Sequence, residues 1–80
     1  MNLQKAVAIR IVKLLNKNNM SQYSLSIKSG LTKQAISNII NEKYESIKFD
    51  TIYKLADGFG ITINEFINDE CLVRDKIDLN

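Results

Sequence analysis

The sequence predicts an all-α protein, a compact bundle of five helices in a single domain. Three observations support this fold class. Apolar residues recur at helical spacing, the chain contains no proline, and only three glycines occur among its 80 residues. A chain of this length can bury only a small core, so most of its apolar side chains must serve that core.

The first two helices have recognisable ends. Apolar residues at helical spacing predict a first helix over about 3–17, which the asparagine-rich segment NKNNMS ends. Ser21 is a suitable N-cap for a second helix over about 22–29, because its hydroxyl can accept a backbone N–H bond. Gly30 follows at the point where a helix end favours positive φ.

Three further helices complete the predicted bundle. Thr32 is predicted to cap a third helix over about 33–40 or 41, and a fourth helix is predicted over about 50–59. In the segment TINE, Thr62 and Glu65 have the spacing of a capping box, which opens a short fifth helix.

The loop before the fourth helix and the end of the chain have weaker patterns. Tyr44, Ile47 and Phe49 are expected to tuck the loop onto the core. Residues 1–69 are predicted to form the domain. Residues 70–80 are predicted to form a tail, a candidate part of a dimer interface, that is a short helix, a strand or a frayed end.

Composition argues against an enzyme or a metal site. The chain has no histidine and one cysteine, Cys71, which removes the usual nucleophile pairs and most zinc sites. We therefore expect no catalysis, no metal and no cofactor, and we interpret Cys71 as a bystander. Charged residues such as Arg10 and Lys13 interrupt the apolar first helix well short of a membrane span, so no membrane contact and a cytoplasmic location are expected.

The charge distribution is uneven along the chain. Residues 1–48 hold eight Lys and Arg against two Glu, a net charge of +6, whereas residues 49–80 hold three against seven, a net charge of −4. A basic half beside an acidic half suits a protein with one face on a polyanion. The alternative is a charge split without any partner.

The outward face of the third helix is the most specific local feature. Ile36 and Ile39 supply its buried stripe, and no acidic residue occurs between Lys33 and Asn41. The outward side chains are short, amide or cationic: Thr32, Lys33, Gln34, Ser37 and Asn38. Such side chains can approach base edges and do not repel phosphates, although any one of them could equally be an ordinary solvated residue.

Two stretches of the chain together resemble a known family. The segment SQYSLSIKSGLTKQAISNII is followed by KFDTIYKLADGFGITINEFI, and both are similar in order and spacing to the Cro/phage-repressor type of helix-turn-helix protein, the Xre family. The resemblance spans about 3–68. It implies a lambda-repressor-like bundle with the helix-turn-helix at about 21–41, whose third helix enters the major groove of DNA.

Four positions depart from the family pattern. Ser26 stands where alanine is usual, and Ser29 stands where an apolar residue is usual, so the turn is expected to pack less tightly. Lys48 replaces a serine-like cap of the fourth helix, and Gly58 replaces a helix former at a cost of about 1 kcal/mol relative to alanine.

The resemblance also implies roles for particular residues. The base-contacting residues would be Thr32, Lys33, Gln34, Ser37 and Asn38. The phosphate-contacting residues would be Gln22, Lys28, Asn41, Lys43 and Tyr44, although Tyr44 also suits a packing role better than a base contact. Arg10, Lys13 and Lys17 are expected to contribute only long-range attraction.

The family commonly binds a palindromic site as a symmetric dimer, because one module contacts only one half-site. The candidate dimer residues are apolar and lie late in the chain: Ile61, Ile63, Phe66, Ile67, Leu72 and Val73. The alternative is that they complete the core of the monomer.

Three functions follow from these patterns. The first is a sequence-specific regulator of transcription, a bacterial or phage repressor of the cytoplasm that binds double-stranded DNA as a homodimer. The second is a protein-interaction module, such as the antitoxin of a toxin-antitoxin pair, with a protein partner. The third, a structural bundle without a ligand, leaves the polar face of the third helix unexplained.

Overall fold

Five α-helices and a short 3₁₀ helix follow one another along the chain. The structure, a computed structural model, describes residues 1–72, 77 and 78. The α-helices are α1 (Leu3–Lys17), α2 (Gln22–Ser29), α3 (Lys33–Ile40), α4 (Phe49–Gly58) and α5 (Ile63–Ile67), and the 3₁₀ helix spans Glu70–Leu72. The all-α fold is therefore confirmed, and within these residues the only extended pairing is an isolated parallel bridge between Asn2 and Asp78.

The predicted N-caps define the helix starts. The hydroxyl of Ser21 accepts a bond from the backbone N–H of Ser24 at 3.0 Å, and that of Thr32 accepts one from Ala35 at 3.0 Å. At α5 the capping box is complete, with Thr62 and Glu65 each accepting the other's backbone N–H. Because each cap satisfies a helix donor that would otherwise lack a partner, these local signals fix where the helices begin.

Each α-helix contributes one large side chain with no solvent exposure to the centre of the core. These residues are Ile11, Leu25, Ile36, Leu55 and Phe66. The prediction that Phe66 lies at a dimer interface is therefore wrong. A side chain that is 0% exposed in the monomer has no surface to offer a second chain.

The contact between α2 and α4 depends on small residues. A Cβ atom built on Gly58 would lie 2.9 Å from both Leu25 Cδ1 and Ser29 Cβ, closer than carbon atoms normally approach. Ser29 is buried, and its hydroxyl oxygen accepts the backbone N–H of Leu31 at 3.1 Å. The expectation of a loosely packed turn at Ser29 is therefore wrong, and Gly58 has a packing reason that outweighs its poor helix propensity.

Arg10 joins α1 to the end of α5. Its guanidinium donates to the carbonyl oxygens of Phe66 at 2.6 Å and Glu65 at 2.7 Å, and to the Asp69 carboxylate at 3.2 Å. Lys13 also pairs with Asp69 at 3.2 Å. The expectation that Arg10 and Lys13 provide only long-range attraction is wrong, because both cations are held by groups of the same molecule.

Asp69 accepts three donors at this junction. Besides Arg10 and Lys13, the backbone N–H of Cys71 donates to its carboxylate at 3.0 Å. The bond from Cys71, followed by that from Lys13, holds the pKa of the Asp69 carboxyl well below its usual range. In return, the pKa of Lys13 is raised, chiefly by its hydrogen bond to Asp69.

The chain end packs against α1. The buried thiol of Cys71 lies 3.6 Å from the carbonyl oxygen of Ala6, and burial raises its pKa to about 11, so it holds its proton at neutral pH. Ile77 is also buried, and the backbone N–H of Asp78 donates to the carbonyl of Met1 at 2.7 Å. The described part of the 70–80 segment therefore lies on the helical domain.

Candidate nucleic-acid interface

The turn between α2 and α3 sets the angle of α3. Gly30 adopts φ +78°, in the left-handed region, and its backbone N–H donates to the carbonyl of Ser26. Leu31 is half-buried against the core, and Thr32 then starts α3. Because Leu25 and Ile36 are buried on either side of the turn, both helices are anchored and the opposite face of α3 remains in solvent.

The structure brings the five predicted base-contacting residues together on α3. Thr32, Lys33 and Gln34 are exposed at its first turn, and Ser37 and Asn38 are half-buried one turn later. The hydroxyl of Thr32 is used in the helix cap. The other four side chains, those of Lys33, Gln34, Ser37 and Asn38, form one continuous polar surface. The first turn of α3 is thus the most accessible part of the helix.

Amide side chains on α3 and at its end are ordered by bonds along the helix. The Gln34 side-chain N–H donates to the Asn38 side-chain oxygen at 2.8 Å. The Asn41 amide donates to the carbonyl of Ser37 at 2.9 Å and to its hydroxyl at 3.2 Å. Gln34 and Asn38 are therefore positioned as a pair before any ligand is present.

The electrostatic surroundings of α3 favour an anion. No aspartate or glutamate precedes Glu42 in the sequence, so α1, α2 and α3 carry no acidic side chain. Lys33 lies at the start of α3, where the helix dipole adds further positive character.

A groove of about 380 Å³ lies between the end of α3 and the start of α4. Asn38 and Lys43 line it, together with Ser46 and Lys48 from the following loop. Lys48 occupies the N-cap position of α4 without a side-chain cap bond, so its ammonium is not used to cap the helix. The groove also has apolar lining residues, and it places two lysines beside the polar surface of α3.

The comparison with protein families decides what this arrangement is. A family model described as a Cro/C1-type HTH DNA-binding domain matches residues 10–71. The chain belongs to this family. The resemblance of its two quoted stretches is confirmed, and so is the assignment to DNA-binding, helix-turn-helix regulators of transcription. Comparisons with curated proteins and with solved structures gave no match.

Lys48 and Ser46 are the groove residues of this Cro/C1-type domain that sequence reasoning missed. The available signal was a lysine in place of the expected cap residue at the start of α4. A lysine contributes nothing to capping, because it cannot accept a backbone N–H bond. A positively charged side chain at such a position suggests a role outside the fold.

Tyr44 does not present its hydroxyl to a phosphate. The hydroxyl is buried and has no hydrogen-bond partner among the residues that the structure describes. Burial raises the pKa of Tyr44, and the nearby Glu42 carboxylate raises it further. The prediction of a phosphate contact by Tyr44 is therefore wrong for this conformation, and its ring packs against the core of the Cro/C1-type domain.

The other predicted phosphate-contacting residues are spread around the Cro/C1-type domain. Gln22 is half-buried at the first turn of α2, and Asn41 is exposed at the end of α3. Lys28 lines a different depression, beside Asp57 and Gly60 at the far end of α4. The structure therefore does not bring Lys28 together with Lys43.

The predicted dimer residues of the Cro/C1-type domain differ in their exposure. Phe66 is in the core, as described above. Ile61 and Ile63 are half-buried and line a second groove between α4 and α5. Ile67 is exposed, whereas Leu72 packs partly against the core. Val73 lies outside the described residues.

Over the described stretches, 1–72 and 77–78, no cluster of three or more His, Cys, Asp or Glu residues could hold a metal ion. In the same part of the chain, no helix is both long and apolar enough to cross a membrane.

Proposed function

We propose that this protein is a sequence-specific repressor of transcription that binds a palindromic DNA operator as a homodimer, with one α3 helix in each half-site. The observation that carries the proposal is the exposed face of α3. This face presents Lys33, Gln34 and Asn38 at the first two turns of the helix. The helices α1, α2 and α3 carry no acidic side chain, because the first acidic residue of the sequence is Glu42. Family membership indicates that the protein binds DNA, and we assign recognition of the base sequence to this face of α3.

The side chains of α3 divide between two kinds of contact. The amide of Gln34 can bond to both N6 and N7 of adenine, and Lys33 can reach guanine O6 and N7 or a phosphate. Ser37 and Asn38 are short, so the helix can lie deep in the groove. Because Gln34 already bonds to Asn38, the amide that meets the base is held in place.

Residues around α3 provide the contacts to phosphates. Lys43 and Lys48 lie on the groove that continues from the end of α3, so we assign them to the DNA backbone. Gln22 at the first turn of α2 adds a donor beside a helix N-terminus, which favours an anion. Asn41 stands at the other end of α3 and is suited to the same role. Lys28 would reach phosphate only on a separate side of the domain.

Repression follows from occupancy. A dimer with recognition helices about 34 Å apart covers adjacent major grooves, and a promoter covered in this way is closed to polymerase. We assign the site of action to the bacterial or phage-infected cytoplasm. Ile61, Ile63, Ile67 and Leu72, the predicted interface residues in the described part of the chain that retain exposed surface, are proposed to contribute to the dimer.

Selection from a pool of random-sequence duplexes tests the proposal. We expect enrichment of an inverted repeat whose half-sites are centred about 10 base pairs apart, and loss of reporter transcription when that repeat overlaps a promoter. Equal binding to all sequences at physiological salt would contradict the proposal. Enrichment of the repeat together with increased transcription would support sequence-specific DNA binding but contradict the assignment as a repressor.

A further inference from the structure

Gln34 and Asn38 share a hydrogen bond on the outer face of α3. The Gln34 side-chain N–H donates to the Asn38 side-chain oxygen at 2.8 Å, and neither side-chain amide makes another bond to the residues that the structure describes. The two residues are four apart on one helix, so their side chains are neighbours along its axis. The direction of this bond decides which groups each amide has left for a ligand.

The remaining donors and acceptors of the pair can be counted. The amide of a glutamine or an asparagine has an oxygen acceptor and two N–H donors. Gln34 uses one N–H for Asn38, so its other N–H and its oxygen remain. Asn38 has its oxygen turned along the helix towards Gln34, so its N–H groups are what it presents to a base. Gln34 therefore offers one donor and one acceptor, and Asn38 offers donors.

These two sets of groups match different bases in the major groove. Adenine shows the acceptor N7 beside the donor N6 amino group, guanine shows the two acceptors N7 and O6, and thymine shows the acceptor O4. Gln34 therefore fits adenine, and it cannot bond to both acceptors of guanine because it has only one N–H left. Asn38 fits guanine or thymine, because its N–H groups would meet the N6 amino group of adenine as a second donor.

We infer that Asn38 sets the sequence preference at two bases. It restricts Gln34 to adenine over guanine, and it selects guanine or thymine at a neighbouring base through its own N–H groups. The first effect is a positioning role: a free glutamine can turn its amide to give both N–H groups to guanine, and the bond to Asn38 opposes this turn. The inference rests on the proposed function, because it requires α3 to lie in the major groove.

The surroundings of the pair favour this direction of the bond. Asn38 is half-buried and lines the groove beside Lys43, whereas Gln34 is exposed. Asn38 therefore has less rotational freedom to lose than Gln34 when the bond forms, and it is the better fixed member of the pair. No carboxylate on α1, α2 or α3 competes with the Asn38 oxygen for the Gln34 N–H, since the first acidic residue is Glu42.

Two substitutions of Asn38 separate its two effects. Asn38→Ala removes the acceptor that holds Gln34. Asn38→Asp keeps that acceptor, because a carboxylate oxygen can still accept the Gln34 N–H, but it replaces the N–H donors by a second acceptor. Selection from random duplexes, followed by competition among single-base variants of the selected site, gives the preference of each protein at each base. Far-ultraviolet circular dichroism confirms that each variant is folded.

The base read by Gln34 is the one at which Gln34→Ala abolishes the preference for adenine. There we expect the wild type to favour adenine over guanine by about tenfold or more. Asn38→Ala should lower this ratio to about threefold or less, because the freed N–H can bond to guanine. Asn38→Asp should leave the ratio unchanged. Ratios are compared within each variant, so the general loss of affinity from an added carboxylate does not affect them.

The base read by Asn38 is the other position at which Asn38→Ala abolishes a preference. There Asn38→Asp should change the preferred base from guanine or thymine to cytosine, whose N4 amino group donates to a carboxylate. Ser37→Ala is the matched control. Ser37 precedes Asn38 on α3 and is bonded to Asn41 instead of Gln34, so its loss should leave the preferences at both bases unchanged.

Nuclear magnetic resonance of the free protein tests the bond without DNA. One side-chain amide proton of Gln34 should shift upfield in Asn38→Ala, where its acceptor is lost, and stay downfield in Asn38→Asp. The side-chain amide protons of Gln22, on α2, should not move in either variant. A Gln34 amide that does not respond to Asn38→Ala would overturn the inference.

Two outcomes of the selection would overturn the inference alone. One is adenine at the base read by Asn38 in the wild type. The other is a preference of Gln34 for adenine over guanine that Asn38→Ala leaves intact. In both cases sequence-specific binding would stand. A pool in which no sequence is selected would instead refute the proposed function, and the inference with it.

Discussion

A Cβ atom on Gly58 of α4 would lie 2.9 Å from the Cβ of Ser29 on α2. This close approach fixes the distance between the first helix of the helix-turn-helix and the helix behind it. The side chain of Leu25 also comes within 2.9 Å of the same point. The absence of a side chain at position 58 therefore determines how α2 sits, and through the turn at Gly30 it influences how α3 is presented.

Gly58→Ala should destabilise the protein despite the better helix propensity of alanine. The gain of about 1 kcal/mol in propensity is opposed by overpacking against Ser29 and Leu25, which typically costs about 1–3 kcal/mol. We expect the free energy of unfolding in urea to fall by about 1 kcal/mol. The cost should be smaller in a Ser29→Gly background, where one of the two close atoms is removed. A rise in stability on Gly58→Ala would show that α2 and α4 separate easily.

Arg10→Ala should be among the most damaging changes outside the core. The side chain of Arg10 is 13% exposed and donates to two carbonyl oxygens of α5 and to Asp69. Its removal leaves the two carbonyl oxygens without a charged donor and leaves Asp69 with Lys13 as its remaining cation, and we expect a loss of about 2–4 kcal/mol in urea unfolding. Lys13→Ala is the matched control. It removes an ion pair to the same carboxylate from a side chain that is 46% exposed, so its effect should be much smaller.

The difference in the free energy of unfolding between Asp69→Asn and wild type should depend on pH. Because the folded pKa of Asp69 lies below its ordinary value, its contribution to stability is present above about pH 4 and is lost as pH falls towards the folded pKa. Urea unfolding at pH 7 should show a less stable variant. The difference should narrow steadily between about pH 5 and pH 2. A constant difference over this range would show that the charge of Asp69 is not what stabilises the junction.

Tyr44→Phe should stabilise the protein and leave DNA affinity unchanged. The hydroxyl is buried with no partner within the described structure, and an unsatisfied buried hydroxyl costs about 1–3 kcal/mol. We expect a gain of about 1 kcal/mol in urea unfolding. Tyr53→Phe, which removes an exposed hydroxyl, should have no measurable effect. Weaker binding of the selected DNA by Tyr44→Phe would instead indicate that this hydroxyl contacts a phosphate.

Gln34→Ala and Lys33→Ala should affect DNA binding in different ways. Loss of a bidentate amide contact should cost about 1–3 kcal/mol on the selected site and relax the preference at one base position. If Lys33 touches only phosphate, its loss should weaken all sequences alike. Because Gln34 bonds to Asn38, the double variant Gln34→Ala/Asn38→Ala should cost less than the two single changes combined. Unchanged affinity in every variant would exclude α3 as the reader.

The fold was predictable because its signals are local. Ser21, Thr32 and Thr62 mark helix starts within four residues of the groups they bond, and Gly30 marks the turn by its own conformation. The role of Arg10 could not be predicted in this way. It depends on acceptors 55 to 59 residues later in the chain, which only tertiary structure brings near.

The candidate site was predictable in composition but only partly in position. Apolar spacing predicts that both Phe66 and Phe49 face the core. In the structure Phe66 is fully buried, whereas Phe49 is 72% exposed. The polar face of α3 could be identified because residues at helical spacing share a face. The bases that these residues meet stay a prediction, since they depend on the docking angle on DNA.

The capture of Arg10 and Lys13 by Asp69 has a consequence for how binding responds to salt. Each cation that replaces a counterion at a phosphate adds about −0.9 to the slope of log affinity against log salt concentration. With two cations of α1 paired to Asp69, the lysines on or beside α3 are Lys33, Lys43 and Lys48. Three such contacts per protomer give a slope of about −2.7 for each half-site, or about −5.4 for the proposed dimer on its operator, so the salt response should come from these lysines and not from α1.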